Sequence, residues 1–506
     1  MARNKYNFPF LISWILTITL GSFTYGFGLT YFNSFTTLIY EQYKYKDINV
    51  IEDKDIFISV VTTILPVGAV IGSYTIAPFI AKGRRTALFA ANTLVVIGSG
   101  LTLIENFWTL ISGRLLFGWS VGSMSVIGAV FVAEITPTQI SGSLATMVNS
   151  MIWFGIAVAN TIGFIVPYKY NRDNSPNDEL KTSKMWRWIF IIPPWIAVFQ
   201  SALLLIVFKD DSPKYYEQNG NSQKAQQIRN HICQQDDDDE KELIIEKPLP
   251  EKHDDLTIGE LLSARYRYAV MIGAFWAFLN QGSGITAVLS YSNEIFKQGK
   301  EGYDAEFIAK VGTSLIGICM FLTSFVWSAM LARFGRRTIL IYGCIGMFAS
   351  LIASGTISLT GWNLGLVIFT VTYVFFFGTS IGTVMYLYNA EILPPKGMAL
   401  ATVCKWTANI FFSLFSETGF KYMKPLGMYL LFSGICFCGI IVSVFFMKET
   451  KGLTKEQLIL LYIPKKLKLD PRISTNCSPL PNYSLKGLNN TVSSISSNTM
   501  TTAEYK

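Results

Sequence analysis

The chain has 506 residues, 51% of them hydrophobic and only 15% charged, with 42 Lys and Arg against 34 Asp and Glu for a net charge of +8. A soluble domain of this length carries about 25% charged residues to cover its surface, so a soluble globular class is excluded. The positive balance does not point to nucleic acid, because the basic residues sit between apolar runs and in the tail, where membrane topology accounts for them.

Arg3 and Lys5 precede the first apolar run, and no small-residue cleavage pattern follows it, which reads as a retained signal anchor. Apolar runs then predict membrane spans at 10–32, 56–80, 86–104, 109–132, 145–167, 188–208, 268–296, 307–332, 338–359, 363–388, 399–420 and 426–447. Each has about the twenty residues needed to cross roughly 30 Å of hydrocarbon at ~1.5 Å per residue. Six precede a polar segment and six follow it. The expected organisation is an N-terminal six-helix bundle over 1–208, a central loop over 209–264, a second bundle over 265–448 and a tail over 449–506. The central loop holds the acidic run Asp236-Asp237-Asp238-Asp239-Glu240 and Pro248 and Pro250, read as a solvated linker face. The tail beyond Pro464 is rich in Ser, Thr and Asn and is expected to be disordered. Triplets such as Asn489-Asn490-Thr491 would stay unmodified in the cytosol.

Loop charge sets the expected orientation. Lys82, Arg84 and Arg85 follow span two, Arg333, Arg336 and Arg337 follow span eight, and the loop after span one is acidic on balance. Positive charge favours the cytosol, so both termini and the central loop are expected inside. Two motifs also recur in order. Gly83-Arg84-Arg85-Thr86 matches Gly335-Arg336-Arg337-Thr338, and Glu134-Ile135-Thr136-Pro137 matches Glu391-Ile392-Leu393-Pro394. Recurrence at equivalent positions of the two halves is the mark of an internal duplication. The residues Arg84, Arg85, Glu134, Arg333, Arg336, Arg337 and Glu391 are expected to form a cytosolic gate of ion pairs between helix ends, with Arg114 joining from the start of span four. Topological anchoring by the arginines alone is the simpler account, and the two are compatible.

Seven cysteines are present, five of them (Cys319, Cys344, Cys404, Cys436 and Cys438) inside apolar runs, while Cys233 and Cys477 fall in segments assigned to the cytosol. No disulfide, zinc site or cofactor is expected. The two histidines, His231 and His253, lie in the central loop. No paired catalytic carboxylates, metal cluster or nucleophile–base set is visible within the spans, so an enzyme is not expected.

The motifs, taken together, resemble the sugar porter family of the major facilitator superfamily, most closely the facilitative glucose transporters. The resemblance runs from about residue 20 to about 458 and rests on Gly21-Ser22-Phe23-Thr24-Tyr25-Gly26, Gly83-Arg84-Arg85, Gly113-Arg114-Leu115, Glu134-Ile135-Thr136-Pro137 and Trp186-Arg187-Trp188. It continues through Asp211-Ser212-Pro213-Lys214, the stretch Asn280 to Val288, Gly335-Arg336-Arg337, Glu391-Ile392-Leu393-Pro394 and Glu449-Thr450-Lys451-Gly452. No single motif is specific; their joint order and spacing are. The resemblance implies an all-α membrane protein of the major facilitator fold, with twelve transmembrane helices in two six-helix bundles. It also implies alternating access and transport of a small sugar or polyol, with the lipid bilayer, the plasma membrane in the family's pattern, as surroundings.

A sugar presents many hydroxyls and no charge, which suits amides that both donate and accept, with an aromatic face against its C–H patch. Carried over by position, the implied substrate residues are Asn149, Asn280, Gln281, Thr286, Tyr386, Trp406 and Asn409. For each amide the competing account is interhelical hydrogen bonding. The chain departs from the family pattern in having Asn at 149 and 280 for Gln, Thr286 and Met320 for Asn, Gly378 for Glu, Tyr386 for Trp, and Lys405 for Asn. Span ten has Ser380-Ile381-Gly382-Thr383 where the family has a Gly-Pro-x-Pro hinge, and Ser141 and Met398 replace arginines. Lys405 lies about 9 Å along span eleven from its cytosolic end. It either snorkels to water, or faces the cavity and favours an acidic or phosphorylated ligand or tightens a cytosolic-side hydroxyl contact.

Proton-coupled relatives place Asp in span one where Gly28 stands here, which favours uniport; Glu294 leaves symport as the alternative. A non-transporting sugar sensor is the third reading. Nothing in the sequence sets an oligomeric state.

Overall fold

A computed structural model describes residues 6–48, 50–137, 140–169, 183–233, 258–263, 266–297, 303–453, 457–458 and 461–463. The acidic run at 236–240, Pro248, Pro250, His253, Cys477 and the tail from 464 lie outside the described residues.

Among the described residues the chain is helical, with no strand. Ten helices are long and apolar enough to cross a membrane: Phe8–Ser34, Lys54–Thr75, Phe107–Ile135, Leu144–Ile165, Met185–Ile206, Asp304–Leu331, Arg336–Ser358, Asn363–Ile392, Gly397–Ser416 and Thr418–Phe445. They correspond to spans one, two, four to six and eight to twelve. Span three, Arg84–Thr102, is a continuous helix that opens on two arginines. Span seven is broken into Arg267–Gly282 and Ile285–Lys297, each too short to cross alone. Twelve spans in two bundles therefore stand, six on each side of the central loop.

Local chemistry sets the ends. Asn7, Asp53 and Asn106 cap spans one, two and four by accepting from backbone N–H groups of the first turn. Spans eleven and twelve run as Pro395–Phe445, broken where Lys424 takes φ 58° ahead of Pro425. Span seven breaks at Gly284, whose φ of +97° suits glycine. A Cβ there would also overlap the Phe432 ring. Span ten breaks at Ser380, with φ −124° and ψ −97°, between Asn363–Thr379 and Ile381–Ile392. The bend thus forms without the proline hinge of the family pattern. Thr383 Oγ1 donates to the Gly378 carbonyl at 2.7 Å, satisfying an acceptor that the break frees. Gly378 itself has no room for a longer side chain, since its Cβ would meet Thr323 Oγ1.

Packing inside the N-terminal bundle relies on small residues. Gly68 and Gly72 of span two and Gly118 and Gly122 of span four, each pair four residues apart, lie on facing helix sides. A Cβ on any of the four would strike a backbone carbonyl of the opposite helix, so the two backbones touch directly.

The loops with Gly83-Arg84-Arg85 and Gly335-Arg336-Arg337 mark one face of the molecule, called here the basic face. Hydrogen bonds between the two halves gather toward the opposite face. There, Asn160 Nδ2 donates to the Thr313 carbonyl at 3.1 Å, Ser314 Oγ to the Asn160 carbonyl at 3.2 Å, and Lys310 Nζ to the Val166 carbonyl. Among the described residues no hydrogen bond or ion pair joins the halves at the basic face.

Candidate functional site

At the level where spans seven and ten break, a cavity of about 90 Å³ lies between the halves. Spans one, two, four, five, seven, ten and eleven line it. The seven implied substrate residues, Asn149, Asn280, Gln281, Thr286, Tyr386, Trp406 and Asn409, all line this cavity, and so does Lys405, the eighth candidate. The sequence reading missed Tyr25, Asn33, Thr62, Trp153 and Ser413, which line it too. Tyr25 stood inside the glycine-rich motif of span one, so its signal was present.

The amides form one network across spans seven and eleven. Gln281 Nε2 donates to Asn280 Oδ1 at 2.7 Å, and Gln281 Oε1 accepts from Thr286 Oγ1 at 2.6 Å and from Asn409 Nδ2 at 2.9 Å. Asn409 Nδ2 also donates to Thr286 Oγ1 at 3.2 Å, and Ser413 Oγ donates to Asn409 Oδ1 at 3.3 Å. Asn280 Nδ2 reaches the Ile381 carbonyl at 3.3 Å, tying the break in span seven to that in span ten. The interhelical account of these amides is therefore realised. An amide has two donor hydrogens and two acceptor lone pairs, so capacity is left over: one N–H each on Gln281 and Asn280, and one lone pair each on Asn280 and Asn409. Asn149 is half-buried on span five and has no hydrogen-bond partner among the described residues. The free donors and acceptors converge on the cavity from both halves, which is what a polyhydroxylated ligand requires. Gln281 both lines the cavity and holds the framework around it.

Above the cavity, toward the opposite face, the outer half of span seven closes against the N-terminal bundle. Asn33 Nδ2 donates to the Leu289 carbonyl at 3.0 Å and to Ser292 Oγ at 3.1 Å. Tyr291 Oη lies 3.2 Å from Thr62 Oγ1 and donates to the Ser413 carbonyl at 3.2 Å. Glu294 pairs with Lys297 at 3.3 Å on this rim and does not line the cavity.

At the basic face the repeated motifs build two copies of one structure. In the first half, Arg84 binds Glu134 in bidentate fashion, Nε to Oε2 and Nη2 to Oε1, both at 2.7 Å. Asp211 accepts the backbone N–H groups of Arg84 and Arg85, and Arg85 donates to the Leu204 carbonyl at 2.6 Å and to that of Lys209, capping the end of span six. In the second half, Arg336 binds Glu391 at 2.7 Å, and Glu449 accepts the N–H groups of Arg336 and Arg337. Arg337 likewise donates to the Ser443 and Val444 carbonyls at the end of span twelve. The copies differ in completeness. Ser212 Oγ donates to Glu134, while the corresponding Thr450 Oγ1 and Glu391 Oε2 carry no hydrogen bond. Burial pushes the Asp211 carboxyl above its ordinary pKa, and the backbone N–H groups of Ser212, Arg85 and Arg84 pull against that shift.

The Arg84–Glu134 and Arg336–Glu391 pairs each join two helix ends within the same half. Two expectations need correction here. Arg333 is exposed and paired with no carboxylate among the described residues. Arg114 is not part of the basic-face group at all. It lies 20 residues before Glu134 on the same continuous helix, about 30 Å away, and lines the cavity. Its Nε and Nη1 reach the carbonyls of Val61 and Gly28 at 3.4 and 3.5 Å, and its guanidinium lies 4.6 Å from the centre of the Phe32 ring.

Lys405 does not snorkel. It is 4% exposed, and its ammonium donates to Tyr25 Oη at 3.2 Å across the gap between the halves. The rings of Trp406 and Tyr386 lie 4.3 and 5.2 Å from it. Trp406 packs in the core of the N-terminal bundle although span eleven belongs to the other half.

A family model described as sugar (and other) transporter matches residues 14–461. A Bacillus subtilis (strain 168) protein named probable metabolite transport protein CsbC is 28% identical over 414 residues, 79% of this chain and 84% of that one. Hexose transporter 1 of Plasmodium yoelii yoelii is 26% identical over 471 residues, 87% of this chain and 90% of that one. Among solved structures, the xylose transporter XylE from E. coli in a partially occluded inward-open conformation superposes with a TM-score of 0.69 at 20% identity. It covers 88% of this chain and 99% of its own, a likeness of fold. With the repeated basic-face motifs and a cavity between two six-helix bundles, the match over nearly the whole chain places this protein in the sugar porter family of the major facilitator superfamily.

Proposed function

We propose that this protein carries a hexose or similar small polyol across the membrane by alternating access, as a facilitative uniporter. The observation that carries the reading is the cavity itself. It sits between the halves, at two helix breaks, and offers unsatisfied amide donors and acceptors beside aromatic rings. The hexose transporter among the relatives supports the choice of substrate class. Uniport is supported by the cavity lining, which among the described residues contains no Asp or Glu to carry a proton. The basic face is proposed to lie in the cytosol, with both termini, by the excess of Lys and Arg there; the plasma membrane is the proposed location.

Uptake of labelled hexoses and polyols into proteoliposomes tests the reading. Saturable uptake that equilibrates without responding to an imposed pH gradient is expected. Gradient-driven accumulation would replace uniport with proton symport, and substrate binding without flux would make the protein a sensor.

Asn149 gives the cleaner mutational probe of the site. Asn149→Ala is expected to weaken substrate binding by about three- to tenfold, the loss of one neutral hydrogen bond of roughly 0.5–1.5 kcal/mol, with no change in melting temperature. Gln281→Ala removes the partners of Asn280, Thr286 and Asn409 as well, so both binding and melting temperature should fall. Unchanged affinity in the Asn149 variant at equal folded yield would remove span five from the site.

A further inference from the structure

Among the described residues the cavity contains two buried cations and no acid. Arg114 is 2% exposed and Lys405 4% exposed, both line the cavity, and neither has an ion pair among the described residues. They approach span one within a single turn. Lys405 meets Tyr25, and Arg114 meets the carbonyl of Gly28 three residues on, about 4.5 Å along the axis. Span one supplies no counter-charge at that point, because a Cβ on Gly28 would collide with the Phe117 ring.

The partners these cations do have are neutral. The guanidinium rests on two long carbonyl contacts and the rings of Tyr31 and Phe32, and the ammonium on a phenol and ring faces. A cation within a membrane span is sustained where an opposite charge or a water-filled cavity meets it. In surroundings of low dielectric, an anion entering between two such groups is attracted far more strongly than in water. The amides of spans five and seven line the same cavity and stay available for hydroxyls.

We propose that the ligand of this cavity is a polyol bearing an acidic group, which docks between Arg114 and Lys405 while its hydroxyls engage the amides of spans five and seven. This rests on the cavity being the substrate site of a polyol carrier, as proposed above. A neutral sugar fills the hydroxyl subsite and leaves both charges unmet.

Affinities of the full-length protein in nanodiscs for D-glucuronate, D-glucose 6-phosphate and D-glucose test the proposal, with the two acids distinguishing carboxylate from phosphate. At least one acid is expected to bind roughly tenfold more tightly than glucose, the margin by which a hydrogen bond to a charged group exceeds a neutral one. Lys405→Asn should erase that preference and Lys405→Arg should retain it. The wild-type preference alone decides the matter should either variant fail to fold. Glucose binding as well as or better than both acids overturns the acidic ligand and leaves polyol transport standing. A folded protein that binds none of the three overturns both readings.

Discussion

Arg84→Ala is expected to destabilise the folded protein by about 3–5 kcal/mol, the range for breaking a buried ion pair by removing one partner. The pair is held by two parallel bonds of 2.7 Å, and the side chains of Arg84 and Glu134 are only 5% and 9% exposed. Removing the guanidinium leaves a carboxylate buried with Ser212 as its remaining side-chain partner. The matching pair in the second half is more open, at 16% and 17%, and Arg336 reaches only one oxygen of Glu391. Arg336→Ala is therefore expected to cost less, about 1.5–3 kcal/mol, as for hydrogen bonds to a charged group. Thermal unfolding of the two variants in the same detergent checks the order. Equal melting temperatures, or a larger loss for Arg336, would contradict the asymmetry between the two copies.

Gly122→Val is expected to have a comparable effect by a different route. The added Cβ would overlap the Ala69 carbonyl oxygen, an atom of backbone that cannot rotate away. Its neighbours Gly68, Gly72 and Gly118 make the same kind of approach, so the helices cannot shift locally without losing the others. Overpacking costs about 1–3 kcal/mol where side chains can yield, and here backbones must separate. The variant should give little monodisperse protein on size exclusion. Gly434, whose Cβ would meet nothing nearby, is the control, and Gly434→Val should behave as the parent does. Normal yield from Gly122→Val would mean that spans two and four are farther apart than described.

Much of this architecture was readable from the sequence because hydropathy and length report directly on membrane spans. All twelve predicted runs are helical, with ends displaced by a few residues where Asn7, Asp53 and Asn106 set the caps. What hydropathy does not report is depth and direction. Arg114 was assigned to the basic face by its motif, although span four starts on the opposite face and Arg114 is only seven residues past Phe107. Counting along the span would have placed it. For Lys405 the sequence left two directions open, and the aromatic rings of Tyr25, Tyr386 and Trp406 around its ammonium resolve them. The mutual bonding of Gln281, Thr286 and Asn409 was not legible, because it depends on how spans seven and eleven rotate toward each other. Span ten shows the opposite case. Its motif lacks the prolines of the family hinge, yet the break forms at Ser380 with Thr383 compensating a freed carbonyl.

Alternating access through this cavity, as proposed, requires the Ile285–Lys297 half of span seven to part from span one in every transport cycle. In a chain whose native cysteines are replaced by serine, Asn33→Cys and Ser292→Cys place two thiols where a 3.1 Å hydrogen bond now joins the helices. After reconstitution, uptake of whichever hexose or hexuronate the parent protein carries is measured before oxidation, after cross-linking and after reduction. Uptake should stop when the cross-link forms and return when it is reduced, while each single variant is unaffected by the oxidant. Full uptake through a quantitatively cross-linked protein would contradict that parting, and with it alternating access through this cavity.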